Sequence, residues 1–284
     1  VALVSDAAFV AALGTAHTVR FSAYVLTPDS TVARALEAAA AHGARVEVLL
    51  EGAPLRGKPG ILRANAAASA ALVRSGAQVH ETTAGEPAMH LKAALIDGVA
   101  YLDDRNWASG DRDTILALDD PAAVAAVASA LDGRPAGSGT FETEKRAALA
   151  LEAAAINEAP GDRVDVETES FGATVVSEAL AARAANGAHV RLLVSEAELR
   201  GPSGPRERRA LAKLAAAGVV IETTANTEKL CVAGDGIWIG SANATFSPEP
   251  SLDWGLRSRD PALVAGVSRA FERNWLAGRA PSIV

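Results

Sequence analysis

The chain has a single cysteine, Cys231, so no intrachain disulfide can hold it together, and that residue reads as a small apolar side chain in a strand. No hydrophobic run is long enough to cross a membrane, because an Arg, Asp, Glu or Gly/Pro turn interrupts every apolar segment. No long apolar loop suggests insertion into a lipid surface. An excess of positive charge is missing as well. Lys and Arg number 27 against 34 Asp and Glu, a net charge of −7, which argues against a wholly basic nucleic-acid binder but leaves room for a local positive cleft. An initiating methionine is also absent, the first residue being Val1. An upstream segment removed by processing, such as a secretory signal, or else trimmed away is therefore expected. The compartment stays open, with a soluble, exported protein as one reading.

What is present is ample apolar content in 284 residues, enough for one large core or two of ordinary size. Periodicity predicts a helix over 5–13, a strand over 19–26 and a helix from Asp29 or Ser30 to His42 that stops at Gly43. A strand follows over 45–50, a loop at Gly57-Lys58-Pro59-Gly60, a helix to Arg74 and a strand over 78–83. A hairpin spans Met89 to Asn106, followed by a strand over 113–118 and a helix over 121–131.

The second half repeats that order. Gly187-Ala188-His189-Val190-Arg191-Leu192 answers Gly43-Ala44-Arg45-Val46-Glu47-Val48, and Ile221-Glu222-Thr223-Thr224 answers His80-Glu81-Thr82-Thr83. Asp260-Pro261-Ala262 likewise answers Asp120-Pro121-Ala122. Agreement over most of each half means an internal duplication. The expected fold class is α/β: two similar subdomains with mixed sheets flanked by helices, packed about a pseudo-two-fold axis. Residues 1–132 form the first half, the Gly/Pro/Ser-rich stretch 133–141 the linker, and 142–284 the second half, opened by a helix over 142–159.

His90 and Lys92 lie two apart in an alternating run, so on a strand they point toward the same spot. Asp97-Gly98 supplies the turn signal, and Asn106 follows the second strand of the hairpin. An imidazole, an ammonium and an amide delivered together suit attack on a phosphate. In the second half Thr227-Glu228-Lys229 aligns with His90-Leu91-Lys92. Gly240-Ser241-Ala242-Asn243 aligns with Asp103-Asp104-Arg105-Asn106, Gly234 with Asp97, and Asp253 with Asp113.

The pattern His-x-Lys-x4-Asp followed by Gly-Ser-x-Asn, twice in partial form, resembles the phospholipase D superfamily of lipases, phosphatidyl transferases and nucleases. The two copies fail in complementary places. The first keeps His90, Lys92, Asp97 and Asn106 but has Asp103-Asp104 for Gly-Ser. The second keeps Lys229, Ser241 and Asn243 but has Thr227 for the histidine. The resemblance implies one asymmetric site. His90 would form a covalent phosphohistidine, Lys92 and Lys229 would neutralise charge, and Asn106, Asn243 and Ser241 would donate hydrogen bonds. Asp253, from the opposite half, would orient His90. Thr227 cannot serve as the leaving-group acid at neutral pH, and His80 is weighed as a substitute and read first as a strand residue. No cofactor is required by the resemblance. A divalent cation at Asp103 and Asp104 is an expectation resting on those two residues alone.

For a substrate, nucleic acid comes first, single-stranded DNA or RNA before duplex. Arg56 and Lys58 in the first half and Arg206 in the second form basic segments suited to a phosphate backbone, and Thr227 lines the same site. Trp107 and Trp254 are read as base-stacking or core residues. The alternatives are a phospholipase D or phosphatidyl transferase acting on phospholipid, and a degenerate member that binds phosphodiesters with little turnover. With both halves in one chain a monomer is expected.

Overall fold

The structure, a computed structural model, describes residues 1–54, 57–107, 114–225, 228–247 and 250–281. The chain divides into two compact units. Val1–Lys145 joins Glu249–Trp254 in the first, and Arg146–Pro248 joins Gly255–Val284 in the second. Residues 133–141, expected as a linker, belong by their contacts to the first unit.

The first unit is built on a seven-stranded sheet. Its parallel part comprises β2 (Thr18–Ala23), β3 (Arg45–Leu50) and β4 (Gln78–Glu81), in register with Val19 opposite Val46 and Val48 opposite Val79. Helices α2 (Thr31–Ala41) and α3 (Pro59–Arg74) make the crossovers that parallel strands require. Ser30 caps α2 by accepting the Ala33 N–H at 3.1 Å, and Gly43 ends it with φ of 95°. On the other side of β2 run the antiparallel strands β6 (Ala93–Ile96), β7 (Val99–Asp103) and β8 (Ile115–Leu118). Sequence periodicity missed the short edge strand β1 (Ala2–Val4), which pairs with β8. Alternation in β2 and β3 sends Val19, Phe21, Val46, Val48 and Leu50 into a core shared with Phe9 and Leu13 of α1 (Asp6–Thr15), Leu36 of α2 and Leu72 of α3.

The second unit repeats this plan. Strands β10 (Arg163–Thr168), β11 (His189–Ser195) and β12 (Val220–Thr224) are parallel. Strands β13 (Leu230–Ala233), β14 (Gly236–Gly240) and the end of β15 (Ser251–Ser258) are antiparallel. Val164, Val166, Leu192, Leu211 and Trp238 lie in its core. The duplicated Asp-Pro pairs acquire a common reason. Asp120 caps α4 (Pro121–Leu131) and Asp260 caps α9 (Pro261–Leu276), each accepting first-turn N–H groups, with proline at a position where no N–H is needed.

Two expectations need correction. The helix placed over 142–159 starts later: Phe141–Glu144 is a strand, β9, and the helix α5 runs Lys145–Glu158. Phe141 and Thr143 are buried and alternate with half-buried Glu142 and Glu144, and that period of two wins over a charge-rich composition that reads as helical. Nor do His90 and Lys92 lie within a strand. They occupy the connection from β5 (Ala88–Met89) to β6, because the chain leaves one pairing partner for another there. β5 pairs in parallel with Ser251 and Leu252, whereas β6 pairs with β2 and β7.

Candidate active site

The β5–β6 connection is held in place residue by residue. The buried carboxylate of Glu51, at the end of β3, accepts the Met89 N–H at 2.6 Å, the Ala53 N–H at 2.7 Å and the Thr82 hydroxyl at 3.0 Å. On the other side of His90, Ser22 Oγ donates to Leu91 O at 3.0 Å and accepts the Ala93 N–H at 3.2 Å. Between these anchors Leu91 is fully buried, which contributes about 2 kcal/mol to keeping the segment down. Neither Glu51 nor Ser22 was a sequence candidate. An acidic residue closing a buried apolar strand was the only available signal.

The anchored segment presents His90 and Lys92 together. His90 Nδ1 lies 2.6 Å from Asp253 Oδ1, with the imidazole 20% exposed and Asp253 only 1%. Ser251 Oγ donates to the other Asp253 oxygen at 2.8 Å. Asp253 belongs to the second sequence repeat but, by its contacts, to the first unit. Burial alone would raise the Asp253 pKa. The charge of His90, the hydrogen bond from its ring and the charges of Lys92 and Lys145 outweigh it, and the carboxyl is held well below its ordinary range. An ionised Asp253 accepts a proton-bearing Nδ1, so the tautomer assigned to neutral His90 leaves its lone pair on Nε2.

Lys92 is completely buried. Its ammonium donates to His90 O at 2.8 Å and lies 2.9 and 3.0 Å from the two ring nitrogens. A buried cation beside an imidazole is where an anionic phosphate would be stabilised. Tyr24, the first residue after β2, sets its ring edge-on to His90 at 4.9 Å between centroids. The ammonium groups of Lys58 and Lys92 lie 5.5 and 5.8 Å from the Tyr24 ring centre. Sequence reading passed over Tyr24.

Asp103 and Asp104 stand where the resemblance has Gly-Ser, and both are fully buried. Asp103 closes β7 opposite Lys92, donating its N–H to Lys92 O at 3.0 Å. Its Oδ2 accepts the Trp107 N–H at 2.6 Å, while Oδ1 is buried with no hydrogen-bond partner among the described residues. Burial and the charge of Asp104 push the Asp103 pKa up to about 7, against the Trp107 N–H, the Lys92 charge and the Arg105 N–H. The bond to Trp107 holds an unusual conformation. Trp107 has φ of 52°, costly for a bulky residue, and is secured by its indole donating to Ser22 O at 3.0 Å and stacking on Phe9 at 4.6 Å. Asn106 directly precedes Trp107, and its Oδ1 is buried and lacks a hydrogen-bond partner among the described residues. Trp107 and Trp254 are core residues, 2% and 0% exposed, so neither is a stacking surface for bases.

Other candidates fall elsewhere. Asp97 is a turn residue with φ of 45° that accepts the His17 and Thr18 N–H groups. Its counterpart Gly234 has φ of 58°, and a Cβ there would meet Pro160 O at 2.4 Å. The aspartate is therefore missing from the second copy for a steric reason. His80 is paired with Glu86 at 3.0 Å. Arg56, Asp113 and Thr227 lie outside the described residues. Arg206 is exposed near the start of α8 (Gly204–Ala216), whose neighbours Arg208 and Arg209 donate to Leu199 O and Pro205 O. Among the described residues no group of three or more His, Cys, Asp or Glu could hold a metal ion.

In the second unit Lys229 and Ser241 are buried, and Lys229 Nζ lies 3.5 Å from Glu169 Oε2. Asn243 donates to the same Glu169 oxygen at 3.3 Å and accepts the Ser170 N–H at 3.3 Å. Glu169 is the first residue after β10, the position that Tyr24 holds after β2.

Comparison with known proteins bears on the whole chain. The model of a family described as cardiolipin synthase, phospholipase D-like domain, matches residues 10–132 and again 153–275. No curated protein sequence matches. Among solved structures, phosphatidylserine synthase of Haemophilus influenzae Rd KW20 aligns with a TM-score of 0.67 at 11% identity, over 99% of this chain and 87% of that one. Polyphosphate kinase of Porphyromonas gingivalis aligns with a TM-score of 0.63 at 18% identity, over 95% of this chain, which spans about half the length of the kinase, 48%. At these identities the likeness is one of fold. Because the family model covers both repeats and most of the chain, the protein belongs to the phospholipase D-like family.

Proposed function

We propose that the protein is a phosphodiesterase that cleaves single-stranded nucleic acid through a phosphohistidine on His90. The observation that carries the reading is the His90–Asp253 bond of 2.6 Å with the Lys92 ammonium against the same ring. In the first step the Nε2 lone pair forms a bond to phosphorus and the bond from phosphorus to the leaving oxygen breaks. Lys92 offsets the charge gathering on the phosphoryl oxygens, and Asp253 stabilises the positive charge that develops on the ring. With threonine at position 227, the leaving oxygen takes its proton from water. In the second step a water oxygen attacks phosphorus, the N–P bond breaks, and the water proton goes to solvent.

Nucleic acid is favoured over lipid by the cations beside an aromatic ring at Tyr24. Phosphatidyl transfer is the second reading, supported by the description of the matching family; there an alcohol replaces water in the second step.

The test is to incubate wild-type and His90→Ala protein with labelled DNA and RNA oligonucleotides, and separately with phospholipid plus a primary alcohol, followed by acid-labile phosphate trapping on His90. Oligonucleotide cleavage and a labelled His90 are expected, both lost in His90→Ala. Headgroup exchange with intact oligonucleotides would replace the first reading by the second. Cleavage that survives in His90→Ala would sink both.

A further inference from the structure

Tyr24 brings two cations and the nucleophile to one ring, and its own position is fixed. Asn65 of α3 is fully buried; it donates to Tyr24 O at 3.0 Å and Glu51 O at 2.8 Å, and accepts the Leu26 N–H at 2.8 Å. Lys58 directly precedes α3, so the helix that pins Tyr24 also delivers Lys58 to it. Among the described residues Lys58 has no carboxylate partner, and its ammonium meets the ring at 5.5 Å.

The second repeat supplies an independent contrast. At the position of Tyr24 it has Glu169, whose carboxylate lies against Lys229 and Asn243. A carboxylate at that position occupies a lysine as a phosphate would. A tyrosine gives the neighbouring ammonium groups the negative face of a π system, which attracts cations but is far weaker than an anion and yields to one.

We propose that Tyr24 and Lys58 form a second phosphate subsite beside His90, so that the preferred substrate is a strand carrying a further phosphate next to the scissile one. This rests on the reading that His90 attacks a phosphodiester. Lys58 takes the neighbouring phosphate, and Tyr24 is a positioning residue that packs the imidazole of His90 and keeps the two ammonium groups apart on one rigid platform. A single ester with no second charge uses only the His90 and Lys92 part of the site.

The experiment uses the whole protein and three probes: the dinucleotide TpT, and the same dinucleotide with an extra phosphate at its 5′ or its 3′ end. Wild-type protein is expected to prefer one of the phosphorylated forms by about tenfold or more in kcat/KM. Lys58→Ala is expected to reduce that preference ratio to near one, through KM, and to lower the slope of log affinity against log salt by roughly one. Tyr24→Phe should keep the preference. Tyr24→Glu, which copies the second repeat, should abolish it and raise KM for all three probes. A preference unchanged by Lys58→Ala and Tyr24→Glu would overturn the subsite. Failure of wild-type protein to cleave any of the three probes, or to label His90, would instead overturn the underlying reaction. Lys58-dependent cleavage of cardiolipin, a lipid with two phosphates, with all dinucleotides left intact would overturn the assignment to a nucleic-acid strand.

Discussion

Replacing Asp253 by asparagine removes one charge while nearly preserving shape, and the structure sets the size of the effect. The carboxylate and the imidazole meet at 2.6 Å, so the centre of the anion lies about 4 Å from the centre of the ring charge. At an effective dielectric of about 20, unit charges at that separation attract by about 4 kcal/mol. That attraction is made in full only when the ring becomes cationic, as it does on forming a bond to phosphorus. Its loss therefore appears in the barrier, and about 4 kcal/mol is about a thousandfold in rate. The substituted side chain would also present either its carbonyl or its amino group to Nδ1, and the amino orientation would favour the wrong tautomer of His90. The expected result is a kcat lowered about a thousandfold with KM changed little, measured as single-turnover release of p-nitrophenol from bis(p-nitrophenyl) phosphate. A thermal melt should verify that the variant is folded. Because Asp253 is held ionised well below its ordinary range, its contribution to stability is complete above the unfolded carboxylate pKa and is lost as pH falls through the lower folded value. Asp253 is therefore ionised throughout the neutral range in which the rate is measured. A loss smaller than about tenfold would refute the assignment of Asp253 as the partner of His90.

Three further outcomes follow from the same structure. With no histidine at position 227, cleavage should depend steeply on the leaving group. Aryl esters should outpace alkyl esters by more than the usual margin, on the order of the 10²- to 10⁴-fold that a general acid supplies; equal rates would mean that an acid is present after all. Glu152 of α5 is buried and its pKa is pushed up to about 8 by burial alone. Stability is therefore fully present below about pH 4.5 and lost as pH rises toward 8, and Glu152→Gln should stabilise the protein at pH 7 by about 3 kcal/mol, read from denaturant melts at pH 5 and 7. Asp103→Asn should likewise remove a stability loss that grows up to about pH 7, while the new amide carbonyl still accepts the Trp107 N–H. A lowered kcat with unchanged melting would show instead that the carboxylate itself serves the reaction.

Much of the architecture was legible in the chain because it rests on local rules. Alternation in Arg45–Leu50 and His189–Ser195, glycines after helices and the Asp-Pro caps act within a few residues, so the duplicated order of strands and helices can be read directly. His90 and Lys92 were singled out as two apart on a strand, but they meet in the β5–β6 connection, held by the Glu51 and Ser22 anchors and not by strand alternation. Phe141–Glu144 was misread because a four-residue strand of mixed charge gives too short a signal to outweigh composition.

What the sequence by itself determined is the duplicated α/β plan and the pairing of an imidazole with an ammonium in its first copy. Tertiary structure decided the rest of what that pair meets. Asp253 lies 163 residues from His90 in the chain, where no periodicity reaches, and it was expected only through the resemblance between the two halves and a known family. Tyr24 and Lys58 become neighbours only because Asn65 ties α3 to the end of β2, and Asp103 faces inward only because Trp107 needs its carboxylate to hold a left-handed turn. Local preference sets the elements. The site is set by which buried polar groups must satisfy one another once those elements have packed.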